Sequence, residues 1–576
     1  MKKILYSLLF VLTASMHGQG LSNVPAERVY LQTDKHLYLA GELVYMKVFT
    51  VTSEMKPLSL SRIVYVELLD EANSRAQVKI GLKHGVGDGW LELPIDLPTG
   101  HYRLAAYTRF MRNEGESVYY EKNIGVVNTF RTNQIRKEQT VIPSVKIEIN
   151  DPSTCSLQLD KTQYATREKG ILKLDGLPKD VHTLSVSIAG KSTVMVEGAN
   201  NIRQWEKQTL HGIALNELKP ETFLPEYEGH IITGKIIPVQ ATTNSTNDSI
   251  IPILSFPGEK IYLFEGQKDG QNNVSFYTTD ISGLKEVSTT AYNLSENMYR
   301  IDLKSPFIDQ YVKKQLPALR FDSTQFGGLA VRTVALQALY YYTKDSLVQD
   351  LPYDLRFDMK PYKTYILDEW TRFTVMGELT IEIISELRFR RNDRQKWELS
   401  IHKRIGKDNY TWGRPLVVLD GIPIMDDDLL YRYNPLLVER VNIYSGDYLY
   451  GGMKYDGIAE FLTYKRNYPS LPVNQSTQIV NYAGAQVSRR LYTPDYSTEK
   501  NRQSRLPDFR HTLLWVPALQ TDGKSTLEVP FYTSDFSGEF LVTVEGLTKE
   551  GKIISASASF EVRNVSSQGQ ALINSN

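Results

Sequence analysis

Carboxylates at close spacing are the first candidates for chemistry in this 576-residue chain, and one passage concentrates them. In GRPLVVLDGIPIMDDDLL, Gly413 to Leu430, an apolar run ends on Asp420, and Asp426, Asp427 and Asp428 follow. At the carboxyl end of a parallel strand such a set would face a metal or a phosphate. Three consecutive aspartates, however, point in different directions and lack the spaced oxygen ligands of a calcium loop, so a solvated loop is expected there.

The other reactive types are no better placed. Two GKST tetrads, Gly190 to Thr193 and Gly523 to Thr526, lack the glycine five positions upstream that a phosphate loop needs; Ser185 and Ala518 stand there. Nine histidines are scattered, with no pair four apart and no His-Glu-x-x-His. A Gly-x-Ser-x-Gly elbow is missing. The single cysteine, Cys155, excludes an intramolecular disulfide and a cysteine-based cluster, and reads as a small apolar residue near a strand. The expectation is a chain with no catalytic, cofactor-binding or metal-ligating residues.

What must then be positioned is recognition surface. Lys and Arg total 66, as do Asp and Glu, so no global field draws the chain to nucleic acid or an anionic membrane, and recognition must be local. Hydrophobic residues at 41% and charged residues at 23% suit several globular cores, roughly four domains at this length. Lys2, Lys3 and the apolar run from Ile4 to Ala14 read as a signal peptide over residues 1–20. That run is too short to span a bilayer and no second apolar span follows, so an exported protein without a transmembrane segment is expected.

Two octets recur. LQTDKHLY (31–38) and LQLDKTQY (157–164) share L-Q-x-D-K-x-x-Y, and FYTTDISG (276–283) returns as FYTSDFSG (531–538). Around the first octet, alternating strands recur every 8 to 15 residues between turn signals, the pattern of an immunoglobulin-like sandwich. YLQTDKHLYLAGELVYMKV, with Gly100 and Tyr102 in LPTGHYRLAAY, resembles the second macroglobulin-type (MG2) domain of the alpha-2-macroglobulin superfamily, over residues 24–128. That superfamily's protease-trapping members carry a Cys-Gly-Glu-Gln thioester motif, which this sequence lacks; Cys155 lies in STCSLQLD. The second octet opens a further sandwich, 145–225.

HIITGKIIPV, GEKIYLFEGQ and NNVSFYTTDISG, with the turn at Thr279, Asp280 and Gly283, resemble a carboxypeptidase-regulatory-like β-domain over 228–304. A helical linker, 305–364, follows, with a helix from Leu329 to Asp345; a last sandwich is expected at 508–563.

In between, Gly377 to Phe389 places Leu379, Ile383, Ile384 and Leu387 at helical spacing. RPLVVLDGIPI, NPLLVERVNIYSG, YLYGG and DGIAEFLTYK then resemble the plug domain of TonB-dependent outer-membrane receptors, over 365–468. On that resemblance Asp420 and Gly421 form the tight turn after a buried strand. Ala459 and Glu460 depart from the family's two apolar residues. Receptor barrels need over 200 further residues, and about 110 follow Arg466, so a transporter in itself is not expected.

The fold class read from these features is mainly β and multi-domain, immunoglobulin-like β-sandwiches plus an α+β plug-like domain. The function read from them is non-enzymatic binding of a protein or glycan as an accessory or scaffold component at the outer membrane, with an outer-membrane protein or barrel, a glycan or a peptide as partner and no nucleic acid; the location the resemblances imply is periplasmic or outer-membrane associated, with the cell surface as an alternative. The alternatives are a plug-like component working with a separately encoded barrel, and a macroglobulin-like protease-interacting protein. Three Asp-Ser triplets, at Asp248, Asp322 and Asp345, resemble O-glycosylation acceptors of some envelope proteins.

Overall fold

The computed structural model describes residues 25–129, 154–192, 194–209, 223–240, 249–279, 281–293, 298–319, 332, 360–404, 410–450 and 452–564. Two compact units divide the chain: residues 1–227, 307–350 and 485–576 form one, and 228–306 with 351–484 the other. The signal peptide falls outside the described residues, as does the expected helix at 329–345 except for Arg332.

The first unit begins with eight strands, β1 (Glu27–Thr33), β2 (Leu37–Leu39), β3 (Leu43–Thr52), β4 (Ile63–Leu69), β5 (Ser74–Gly81), β6 (Val86–Glu92), β7 (Gly100–Tyr107) and β8 (Tyr120–Val127). They form two sheets in the orders β1-β3-β6 and β2-β8-β7-β4-β5, with β2 and β8 parallel. Alternation puts Val29, Leu31, Met46 and Val48 of one sheet against Val64, Val66, Leu104 and Ile124 of the other.

After β9 (Ser156–Leu159), β10 (Gln163–Ala165), β11 (Lys169–Asp175) and β12 (Val181–Gly190) comes helix α1 (Ile202–Thr209). The second unit opens with β13 (Ile231–Pro238), β14 (Ile250–Ser255), β15 (Leu263–Lys268), β16 (Asn273–Tyr277), β17 (Leu284–Asn293) and β18 (Tyr299–Leu303). The order β14-β15-β16-β13-β18-β17 closes on itself through a β14–β17 pairing, a six-stranded barrel filled by Ile232, Ile236, Leu254, Val274, Phe276 and Ile301.

The rest of this unit is α+β: β19 (Lys363–Ile366), α2 (Met376–Glu382), β20 (Leu387–Arg391), β21 (Trp397–Arg404), β22 (Tyr410–Gly413), β23 (Pro415–Leu419), β24 (Ile422–Pro423), α3 (Asp427–Tyr431), β25 (Val438–Tyr450) and β26 (Met453–Thr463). One sheet runs β19-β25-β26-β23-β24 and another β20-β21-β22. The helix expected over 377–389 stops at Glu382: Leu387 and Phe389 alternate with Arg388 and Arg390, and a strand buries both against β21. Asn434 and Pro435 do start a turn of helix, where the Asn434 side chain accepts from Leu436 N at 3.0 Å. A further strand, β27 (Thr477–Ala483), joins the barrel along β17.

Back in the first unit, α4 (Glu499–Arg502) leads to β28 (Thr512–Val516), β29 (Thr526–Tyr532), β30 (Gly538–Thr548) and β31 (Ile553–Arg563). These do not make the separate sandwich expected at 508–563. They interleave with the strands after residue 154, in the orders β9-β11-β29 and β10-β31-β30-β12-β28. The two modules expected at 145–225 and 508–563 are therefore one sandwich. Neither segment could close a core alone: Phe531, Phe540 and Phe560 need Tyr164, Leu172 and Leu174 opposite them.

Strand for strand this repeats the first sandwich, with β9, β11 and β29 in the places of β1, β3 and β6, and β10, β31, β30, β12 and β28 in those of β2, β8, β7, β4 and β5. Residues 191–511 are thus inserted at the place of the β4–β5 hairpin. The inserted stretch departs and returns at adjacent points, since Gly190 N donates to His511 O at 2.8 Å. Gly190 is needed there, because a Cβ would lie 2.5 Å from the His511 ring.

Candidate functional site

The β23–β24 hairpin carries the carboxylate that looked most like a catalytic acid. Leu419 pairs with Ile422, so the loop is two residues, Asp420 at φ 45° and Gly421 at φ 81°. Two left-handed residues are what a type I′ hairpin turn requires, and Asp-Gly supplies them at low strain. A Cβ on Gly421 would stand 2.7 Å from Phe256 O. The Asp420 side chain is fully buried. Its Oδ1 accepts from Thr463 N at 2.8 Å, and its Oδ2 from Thr463 Oγ1 at 2.5 Å and Tyr468 N at 2.8 Å. Three donors hold the carboxylate, so it locks the hairpin to the end of β26 and presents nothing to a substrate.

The triple aspartate is not a solvated loop. Asp426 caps α3, accepting from Asp428 N at 3.0 Å and Leu429 N at 3.3 Å. Asp427 Oδ2 accepts from Leu399 N at 2.9 Å, and Asp428 Oδ1 from Trp397 N at 3.0 Å, so the helix start is stitched to the first residues of β21, on the side where β22 pairs only from Ile401 onward. Burial raises the Asp427 carboxyl to about 6. Each carboxylate is turned to its own backbone partner, and among the described residues no three His, Cys, Asp or Glu side chains converge.

Gly190 of the first tetrad ends β12, and Thr526 of the second begins β29. Lys191 Nζ pairs with Glu539 at 2.7 Å, and Thr526 Oγ1 donates to Asp175 at 2.7 Å. Neither precedes a helix directly, which a phosphate loop must do. Cys155 is buried in the second sandwich, which pushes its thiol up from the ordinary range. Of the three triplets only Ser249 and Ile250 lie within the described residues.

A charged seam between the two sandwiches was not foreseen. The outer face of β1 and β3 is covered by β12 and β30 of the second sandwich. Tyr30 OH donates to Glu545 Oε2 at 2.7 Å, Ser187 Oγ to Asp34 O at 2.7 Å, Thr512 Oγ1 to Asp34 Oδ2 at 2.6 Å, and Ser185 Oγ to Gln32 Oε1. Phe49, Tyr120 and Trp205 ring Tyr30, with centroids 5.2, 5.3 and 5.2 Å away.

Lys47 is fully buried, and its Nζ has no hydrogen-bond partner among the described residues. Desolvation brings Lys47 down to about 7 and Lys122 down to about 8, and pushes the Glu545 carboxyl up. The signal was legible in LVYMKVFT and LVTVEGL, where a charge interrupts a strand with apolar residues on both faces. It reads as surface only if each sandwich is taken to be alone.

With the geometry in hand, comparison with known proteins places one module. Residues 28–126 match the family model of the MG2 domain, and they coincide with β1–β8. The first sandwich is therefore a macroglobulin-type MG2 domain. Among solved structures, Escherichia coli alpha-2-macroglobulin activated by porcine elastase is similar at 10% identity and a TM-score of 0.23, over 94% of this chain and 44% of that one. Salmonella alpha-2-macroglobulin reacted with methylamine is similar at 12% identity and a TM-score of 0.23, over 95% and 40%. The Escherichia coli adhesin FdeC is similar at 10% identity and a TM-score of 0.15, over 48% and 62%. The chain spans under half the length of the two macroglobulins. No curated protein sequence matches it. Among the described residues no helix is long and apolar enough to cross a membrane.

Proposed function

We propose that this is an exported, non-catalytic binding protein of macroglobulin type, whose partners are other polypeptides and first of all proteases. The observation that carries the reading is the MG2 domain at residues 28–126. The site chemistry agrees with it, since the carboxylates that looked catalytic are spent on a turn, a helix cap and a strand edge. Any capture is non-covalent: the thioester motif is missing from this sequence, and Cys155 is buried with a raised thiol. The test is incubation of the mature chain with active and active-site-blocked elastase and trypsin, followed by gel filtration. Co-elution with the blocked enzymes is expected. Separate elution with every protease tried, at concentrations above about 10 μM, would count against the reading, because a complex that survives gel filtration needs a Kd below that.

A second reading is supported by the α+β module. Its Asp-Gly turn lies in a motif that resembles receptor plugs, which fits an accessory component at the outer membrane meeting a separately encoded barrel. Recovery of a barrel protein in fixed ratio from outer membranes, lost on deletion of residues 365–468, is the result it expects. Recovery that survives the deletion would refute it.

A further inference from the structure

Sheet β20-β21-β22, in the second unit, buries one face and leaves the other in solvent. Leu387, Phe389, Leu399 and Ile401 point into the core, so alternation and cross-strand pairing put Arg388, Arg390, His402 and Trp412 together on the outer face, and Tyr410 beside them. The rings form a ladder: Tyr410 and His402 lie 4.4 Å apart at 22°, His402 and Trp412 5.1 Å apart at 31°, and the Arg390 guanidinium carbon 5.5 Å from the Trp412 centroid. Each rung is held by the next, so little side-chain entropy is left to lose on binding. At the open end Tyr410 is 54% exposed.

The charge here is lopsided in a chain that balances 66 against 66. Residues 387–404 hold seven Arg or Lys and two Asp or Glu. Lys403 is neutralised by Asp447 and Asp456; Arg388, Arg390, Arg394 and Lys396 make no ion pair among the described residues, and the carboxylate across from Arg390, Glu398, accepts from Asn392 Nδ2 at 2.8 Å. Arg388 and Arg390 stand about 7 Å apart along one strand face, a spacing that lets successive anionic groups of a polymer each take a guanidinium.

We propose that this face binds an anionic glycan, with carboxylate, sulfate or phosphate groups on Arg388 and Arg390 and the apolar face of a sugar ring on Tyr410. Charge complementarity selects a polyanion. The ladder selects a glycan over a single-stranded nucleic acid, which needs several free ring faces in succession, whereas His402 and Trp412 already have theirs occupied. The inference does not rest on protease binding and stands or falls separately from it.

The experiment titrates the full mature chain with polygalacturonate and heparin, using neutral dextran and a single-stranded oligonucleotide as comparisons, by calorimetry at low and moderate salt. Binding to the two anionic glycans that weakens with salt, and none to dextran, is expected. Arg388→Gln with Arg390→Gln should weaken it roughly tenfold or more by removing two charge-assisted contacts. Tyr410→Ala should weaken glycan binding several-fold at unchanged salt dependence, as expected for loss of a stacking face. These three residues are exposed and lose at most a ring contact each, so a cooperative melt retained within a few degrees serves as the folding control. Failure of both anionic glycans to bind, or binding untouched by either variant, overturns the proposal. Oligonucleotide binding as tight as that of the glycans overturns it too, by reassigning the face to nucleic acid.

Discussion

The two sandwiches of the first unit share one strand order and one hydrogen-bond circuit, yet one is continuous over 27–127 and the other is written in two pieces, 156–190 and 512–563. In the first, Asp34 Oδ1 accepts from Tyr38 OH at 2.7 Å and Tyr45 N at 3.2 Å. In the second, Asp160 Oδ1 accepts from Tyr164 OH at 2.7 Å and Ile171 N at 2.7 Å. In both, the tyrosine oxygen accepts in turn from the following lysine's amide, Lys35 at 3.3 Å and Lys161 at 3.2 Å. The repeated L-Q-x-D-K-x-x-Y is thus a structural device: it turns the chain from one sheet to the other and seats a short strand parallel to the last one.

What differs is the connection after the fourth strand. In the first sandwich it is a hairpin closed by Asp70 N to Asn73 O at 3.1 Å; in the second it holds residues 191–511. Each doubling of a flexible loop costs about 0.6 kcal/mol, so even six doublings amount to roughly 4 kcal/mol, less if the inserted chain folds with its ends together. The adjacency of Gly190 and His511 meets that condition. Arg167 adds a clasp, bidentate to Asp535 at 2.6 Å and bonded to the carbonyls of Ser504 and Leu506, which secures the returning chain.

The sharpest way to break the comparison is truncation after residue 507. That removes β28–β31, half the strands of the second sandwich, together with Leu547 and Ile553, which sit in the core of the first. Loss of the cooperative melt of the second sandwich and earlier proteolysis of the first are the expected results. A cooperative melt with β-type circular dichroism from 508–563 alone would show instead that this segment closes its own core.

Much of this was legible in the sequence. The alternation of residues 27–127, the octet repeat and the Asp-Gly turn all led to elements that the structure contains, because each is decided within a few residues. The pairing of β12 with β28 and β30 was not legible, since strand signals carry no information about partners more than 300 residues away. Likewise LVYMKVFT and LVTVEGL show that a charge interrupts a strand with apolar residues on both faces, but not which strands cover Lys47 and Glu545, because the cover of each comes from the other sandwich. The helix expected over 377–389 is shorter for a related reason: Leu387 fits the helical spacing of Ile383 and Ile384 but also alternates with Phe389 at period two, and pairing with β21 chose the strand from Leu387 onward.

A smaller break than truncation comes from Asp34→Ala. The carboxylate is buried, and Tyr38 OH, Tyr45 N and Thr512 Oγ1 would all lose their acceptor, for a loss of about 3 kcal/mol in denaturant unfolding. The Thr512 contact crosses to the second sandwich, so both should lose stability together. Destabilisation of the first sandwich alone would show that the seam does not couple them.

The seam also predicts a pH dependence. An unfolded lysine keeps its proton up to its ordinary value of 10.5, whereas Lys47 loses it near 7 and Lys122 near 8 in the fold. Between those values and 10.5 the unfolded chain binds more protons, so these two lysines make stability rise as pH increases from about 7. Glu545 acts the other way in the acid range: its raised carboxyl holds a proton in the fold above 4.5, and that contribution is lost as pH rises through the folded value. Lys47→Met keeps the volume and should flatten the rise in melting temperature from pH 7 to 9. Lys79, also lowered to about 7, and Lys122 retain the remainder of the slope. An unchanged slope in Lys47→Met would mean that Lys47 stays charged in the seam.

The smallest effect separates the two copies of the circuit. Tyr164→Phe removes one hydrogen bond to Asp160, which is exposed and can take water in its place, so a loss of about 1 kcal/mol is expected. Tyr38→Phe removes the same bond where Asp34 is buried, leaving a carboxylate lone pair without solvent and a loss about twice as large. The ratio is more informative than either value, since the two circuits share the bond that is removed, while Asp34 is covered and Asp160 is not; Tyr38 OH also reaches Lys35 O at 2.9 Å, which adds to its side of the ratio. Equal losses in chemical unfolding would mean that the second sandwich, although it lies over Asp34, does not keep water from it.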